Sequence, residues 1–174
     1  CVLFGDGAGA AIVRKATNGR GVLSSFIRSD GTLAELLWRP AGGARIPMDI
    51  AVLDEKNHLV KMAGREVFKA AVRAMADSAD QALLRAGLTG PDIDLFVPHQ
   101  ANMRIIDAMI KTLKLPDHVP VARDIAETGN TSAASIPLAM ERMLEAGEAK
   151  SGDTALLIGF GAGLVYAAQV VVLP

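Results

Sequence analysis

Apolar and polar positions fall into blocks along this chain, and the period changes from block to block. Val2–Phe4 is a short apolar run that breaks at Gly5-Asp6-Gly7-Ala8-Gly9 and resumes at Ala10–Val13, the pattern of strand, glycine turn and strand. Gly21–Ile27 predicts another strand. Ser29–Pro47 is polar and punctuated by Gly31, Pro40, Gly42, Gly43 and Pro47, which predicts a loop, and Met48–Leu53 reads as a further strand. From Met62 to Ala86 the period lengthens: Val67, Ala71, Met75, Ala79 and Leu83 recur at helical spacing, flanked by Phe68 and Val72, and Gly87 supplies a stop. Asp94–Pro98 predicts a buried strand. Ala101–Leu115 predicts a second helix with Ile105, Ile106, Met109, Ile110 and Leu113 on one face, followed by the short apolar stretch Val119–Ala122. A third helix is expected from near Asn130 to Gly147, with Pro137 early enough to be tolerated. Thr154–Gly159 and Leu164–Leu173 close the chain as strands around Gly159-Phe160-Gly161-Ala162-Gly163.

Strands alternating with helices make the class α/β, in several layers. The last glycine turn, with its flanking apolar runs, resembles the first. Such self-similarity suggests two related halves that finish with the same hairpin, although glycine-rich turns also resemble one another by chance. On the repeat reading, residues 1–47 hold the closing hairpin of one half and a connecting segment, and residues 48–174 hold the whole of the next.

Composition narrows the classes. Of 174 residues, 51% are apolar and 21% charged, which suits a globular domain with one sizeable core. No apolar run reaches the roughly 20 residues that span a bilayer, so no membrane association is expected. A net charge of −1 lacks the broad basic excess of a general nucleic-acid binder. The single cysteine, Cys1, excludes disulfide stapling and cysteine-based metal sites, and its place at the start of a strand reads as a buried, inert thiol. With no signal peptide visible, a cytoplasmic setting is expected. The chain opens on Cys-Val-Leu-Phe instead of Met, so the natural N-terminus is expected to lie upstream.

Two segments carry chemistry. His99 follows Phe96-Val97-Pro98 at the carboxyl end of a strand, where open α/β sheets place their ligand chemistry. It also sits just before a helix, whose N-terminal partial charge disfavours an imidazolium. The neutral ring can donate an N–H to a developing oxyanion; the plainer reading is a polar residue at a helix start. Asn130, in Thr128-Gly129-Asn130-Thr131-Ser132, is an N-cap on the plain reading and an uncharged amide donor on the functional one. Paired on one carbonyl oxygen, two such donors are worth roughly 3–4 kcal/mol each to an enolate-like transition state. Asn-Thr-Ser also matches the glycosylation acceptor pattern, which a buried turn would not use. Neither glycine turn has the dinucleotide-binding spacing, and both lead into strands. His58 and His118 read as surface residues. Arg65, Lys69 and Arg73 form one basic stripe and Arg104, Lys111 and Lys114 another: solvated faces, or a patch for an acidic protein.

Phe4-Gly5-Asp6-Gly7-Ala8-Gly9-Ala10, Pro98-His99-Gln100-Ala101-Asn102-Met103-Arg104, Gly129-Asn130-Thr131-Ser132-Ala133-Ala134-Ser135 and Gly159-Phe160-Gly161-Ala162-Gly163 resemble, in order, segments of β-ketoacyl-acyl carrier protein synthase III, and Met62–Lys69 adds a further match. The resemblance covers nearly the whole chain. It implies the thiolase fold, two similar halves stacked as α-β-α-β-α, in a homodimer. It also implies a chemistry in which an acyl primer passes from coenzyme A to a cysteine, malonyl-acyl carrier protein loses CO2, and its enolate attacks the acyl thioester. Carried over by motif, His99 and Asn130 hold the malonyl carbonyl, and the backbone near Ala162 completes the oxyanion hole of the acyl-cysteine. Gln100, Ala101, Asn102, Met103 and Arg104 match the carrier-protein docking stretch, joined by Lys69 and Lys111. Thr112 stands where a second lysine is common, which shifts docking toward Lys114. Coenzyme A thioesters are then substrates, with no cofactor and no metal.

The departure is the first half. The family's nucleophile lies upstream of Cys1, which matches no nucleophile motif, so this chain is expected to be inactive without an N-terminal half. A plant-type polyketide synthase also uses Cys, His and Asn, but His-Gln-Ala-Asn and Thr-Ser-Ala-Ala-Ser favour the fatty-acid enzyme. From another class, the chain could be a non-catalytic module that grips coenzyme A or a carrier protein.

Overall fold

In the computed structural model, residues 4–16 and 19–174 are described; Cys1 to Leu3, Thr17 and Asn18 lie outside them, and with them the reading of Cys1 as a buried thiol. The predicted strand near residue 21 is β1 (Gly21–Ser29). Asp30 then caps a short 3-10 turn, Gly31–Leu36, by accepting from the Thr32 amide. The excursion that follows is less bare than its polar sequence suggests. It holds a small ribbon of β2 (Leu37–Trp38) and β3 (Lys61–Met62), with α1 (Ile50–Asp54) between them. Helix α1 occupies most of Met48–Leu53, where a strand was expected. Asp49 decides the outcome: its carboxylate accepts from the Val52 amide at 2.8 Å and starts a helix turn there.

Helix α2 (Gly64–Ala86) follows the predicted period, burying Val67, Ala71, Met75, Ala79 and Leu83, and ends at Gly87 with a φ of 70°. Next come β4 (Leu95–Pro98), α3 (Met103–Leu113) and the short α4 (Ile125–Thr128). Helix α5 (Ser135–Glu145) starts later than expected, because Gly129 and Ser132 hold positive φ values of 69° and 53° that no helix accommodates. Pro137 stands in its first turn, where a missing N–H costs nothing. The chain closes with β5 (Thr154–Gly161) and β6 (Val165–Val172).

The sheet runs in the order β1-β6-β5-β4, with β6 antiparallel to both neighbours and β4 parallel to β5. A single parallel bridge from Phe96 to Val121 extends it by the Val119–Ala122 stretch. Strand alternation sorts the side chains onto two faces. Phe96, Leu156, Ile158, Ala168 and Val170 pack under α2 and α3, while Leu95, Val97, Ala155 and Leu173 pack against Ala139 and Met143 of α5. Helices therefore cover both faces, and the carboxyl ends of β4 and β5 emerge together between α3 and α5.

The first glycine segment departs from expectation. Ala10–Val13 forms no strand; Ile12 and Val13 are 95% and 93% exposed. Phe4 makes only one bridge, to Asn130, and the Gly5 amide donates to the Asn130 carbonyl at 3.0 Å. The glycines explain this course. A Cβ on Gly5 would fall 1.9 Å from the Thr128 carbonyl oxygen, so only a residue without a side chain lies this close.

Candidate active site

His99 leaves the end of β4 with its backbone amide donating to the Ile158 carbonyl at 2.7 Å, so the neighbouring strand fixes where the ring starts. The ring is half-buried, and burial pushes its pKa below the ordinary value. That agrees in direction with the expected neutral imidazole, with desolvation as the cause. Nδ1 lies 2.7 Å from Ser135 Oγ, and Nε2 has no protein partner among the described residues.

Asn130 is 9% exposed. Its Oδ1 accepts from the Ser132 amide at 2.9 Å, and among the described residues Nδ2 meets no acceptor. The positive φ at Ser132 turns that amide back onto the side chain. One stretch thus serves both residues: Asn130 is oriented by Ser132, and His99 is gripped by Ser135, the first residue of α5. Thr131 Oγ1 beside them is buried without a partner.

Gln100 corrects an expectation. It was placed among the docking residues, but it is 0% exposed and its carboxamide is fully engaged. Nε2 donates to the Pro98 carbonyl at 2.7 Å and the Ala122 carbonyl at 3.1 Å, while Oε1 accepts from the Ile125 amide at 3.1 Å. No partner surface can reach it. It braces the end of β4 against the Val119–Ala122 stretch and the start of α4. Ala101 and Met103 are half-buried, and Asn102 caps α3 by accepting from the Arg104 amide at 2.9 Å. Arg104, Lys69 and Lys111 are exposed on the adjacent helices α2 and α3. Lys69 also lines a cavity of about 580 Å³ with Arg28, Asp30, Arg73, Phe160 and Tyr166. Ala162 is exposed in the β5–β6 turn, beyond Ile158 on the strand that neighbours His99. His118 is exposed as expected; His58 is half-buried, with Nδ1 enclosed and unpartnered.

Ser135 escaped the sequence reading. A small hydroxyl residue at a helix start is indistinguishable from an ordinary cap until its partner is seen. Among the described residues no group of three or more His, Cys, Asp or Glu could hold a metal ion, and no helix is long and apolar enough to cross a membrane.

The family model described as 3-oxoacyl-[acyl-carrier-protein] synthase III C terminal matches residues 83–173, and that of 3-oxoacyl-[acyl-carrier-protein] synthase III matches residues 1–31. The chain belongs to the 3-oxoacyl-[acyl-carrier-protein] synthase III family. A synthase III of Streptomyces glaucescens is 54% identical over 180 residues, covering 99% of this chain and 50% of that protein. The synthase III structure from Thermus thermophilus superposes with a TM-score of 0.81 at 45% identity, covering 93% of this chain and 49% of the other. The priming β-ketosynthase of the R1128 polyketide pathway gives 0.78 at 42% identity, over 88% and 45%. The chain spans about half the length of the curated relatives it matches. Its fold is accordingly about half of the layered thiolase-type fold of synthase III proteins.

Proposed function

We propose that the chain is the C-terminal part of a condensing enzyme that joins an acyl-coenzyme A primer to malonyl-acyl carrier protein, giving 3-oxoacyl-acyl carrier protein. What carries the reading is that one loop, residues 130–135, presents an uncommitted amide nitrogen on Asn130 and holds His99 with Nε2 uncommitted. Both are neutral donors, as an oxygen gaining negative charge requires.

In this mechanism the bond between the malonyl carboxylate and its methylene carbon breaks, CO2 leaves, and the electron pair passes onto the thioester oxygen as an enolate. His99 Nε2–H and Asn130 Nδ2–H stabilise that oxygen, about 3–4 kcal/mol each by analogy with other oxyanion donors. The enolate carbon then attacks the acyl thioester on a cysteine of an N-terminal half. A C–C bond forms and the cysteine thiolate is released, while the backbone N–H near Ala162 supports the transient oxyanion. Lys69, Arg104 and Lys111, with Ala101, Asn102 and Met103 beside them, receive the acidic carrier protein. Coenzyme A thioesters enter as substrates and no cofactor or metal takes part. The working form is a cytoplasmic homodimer, and this chain alone forms no acyl-enzyme. A polyketide-priming role is the second reading, favoured by the likeness to the R1128 ketosynthase; it changes the carrier protein and leaves the chemistry alone.

The test is a chimera in which this chain replaces the matching half of the Streptomyces glaucescens protein. Condensation should appear, and His99→Ala or Asn130→Ala should each lower it by about 10²- to 10³-fold. A chimera that melts cooperatively but condenses nothing, or that keeps full rate without both side chains, overturns the reading.

A further inference from the structure

A neutral imidazole carries its proton on one nitrogen only, and the partner of the other nitrogen decides which. For His99 that partner is Ser135. A serine hydroxyl donates one hydrogen bond and accepts two. Ser135 is 0% exposed, so its hydrogen bonds are made within the protein. Its oxygen already accepts from the Gln100 amide at 3.2 Å. The acceptor left for its own proton, among the described residues, is His99 Nδ1 at 2.7 Å.

We propose that Ser135 is a positioning residue: by donating its hydroxyl proton to Nδ1 it holds His99 in the tautomer that carries its proton on Nε2. The opposite tautomer would aim Nδ1–H at an oxygen that already receives the Gln100 N–H, and would leave the hydroxyl proton without an acceptor in a dry site. The arrangement is stiff at both ends. Ser135 opens α5, and the Gln100 amide that orients its hydroxyl belongs to a side chain tied to Pro98, Ala122 and Ile125. The loop that carries Asn130 therefore also sets the proton of the second donor. This rests on the reading above, in which Nε2–H faces the thioester oxygen.

The test reads the tautomer directly. With ¹⁵N-labelled histidine, long-range nitrogen–proton correlation spectra at about pH 8 report which ring nitrogen is protonated, in this chain alone or joined to the complementary half in the chimera. His99 should carry its proton on Nε2, and Ser135→Ala should release it into a mixture of tautomers. In the chimera, Ser135→Ala should lower kcat by about 10- to 100-fold, as loss of ring-orienting partners does elsewhere, with KM for the carrier protein unchanged. An Nδ1–H tautomer in the unsubstituted chain overturns the proposal even if the variant fails to fold. So does a Ser135→Ala variant with unchanged spectrum or unchanged kcat. Failure of the condensing reading is a separate result: the chimera would be inactive with either residue at 135, while the spectrum would still decide the tautomer.

Discussion

Replacing Gln100 with methionine separates a brace from a docking contact. The two side chains have similar length and volume, so Gln100→Met leaves little cavity and removes only the polar contacts. Three backbone groups lose their partner: the carbonyls of Pro98 and Ala122 and the amide of Ile125. Ile125 is half-exposed and water can replace its contact, whereas Pro98 and Ala122 are buried. Each buried group left dry costs about 1–3 kcal/mol, so the two carbonyls together predict a loss of about 2–6 kcal/mol. That is a large share of the stability of an ordinary domain. Urea unfolding followed by circular dichroism measures it, as a fall in the midpoint with the slope unchanged. A surface residue that touches a carrier protein would behave in the opposite way, with stability kept and binding weakened. A loss below about 1 kcal/mol would refute the brace and return Gln100 to the docking surface.

Two further outcomes follow from the site and its surroundings. His99 has a folded pKa below 6.5, so as pH falls through 6.5 the unfolded chain takes up its proton first and stability drops; His99→Gln should flatten that slope in urea midpoints measured between about pH 8 and pH 5, and equal slopes would contradict it. In the chimera, Lys69→Glu and Arg104→Glu should raise KM for the carrier protein several-fold at low salt, with the difference shrinking as salt screens the exposed charges. A KM that ignores both reversals would place docking elsewhere.

Long periodic stretches were legible because burial dictates their pattern. Helix α2 buries one stripe over 23 residues, and a stripe of that length has no competing explanation. β5 and β6 were legible for the same reason. Short runs were not. The six residues of Met48–Leu53 fit a strand or a helix equally, and the Asp49 cap settled the matter locally. Ala10–Val13 has the composition of a strand, yet among the described residues no neighbouring strand pairs with it. At the site, the positions of His99 and Asn130 could be read as motifs, because each ends a recognisable segment. The roles of Gln100 and Ser135 could not. A polar side chain in a loop looks the same in sequence whether it faces water or ties three segments together, and only the fold, bringing residue 135 beside residue 99, tells them apart.

The pairing of β1 with β6 has a consequence for how the molecule comes into being. Gly21 lies opposite Val172, and β4 finds its sheet neighbour only in β5. On a ribosome, both early strands must wait with open edges until the terminal hairpin has been made, and the closure spans nearly the entire polypeptide. Contacts so distant along the chain slow folding and expose apolar edges to self-association meanwhile. Shielding during synthesis therefore falls to α2, which emerges early and can lie across β1 before the rest of the sheet exists.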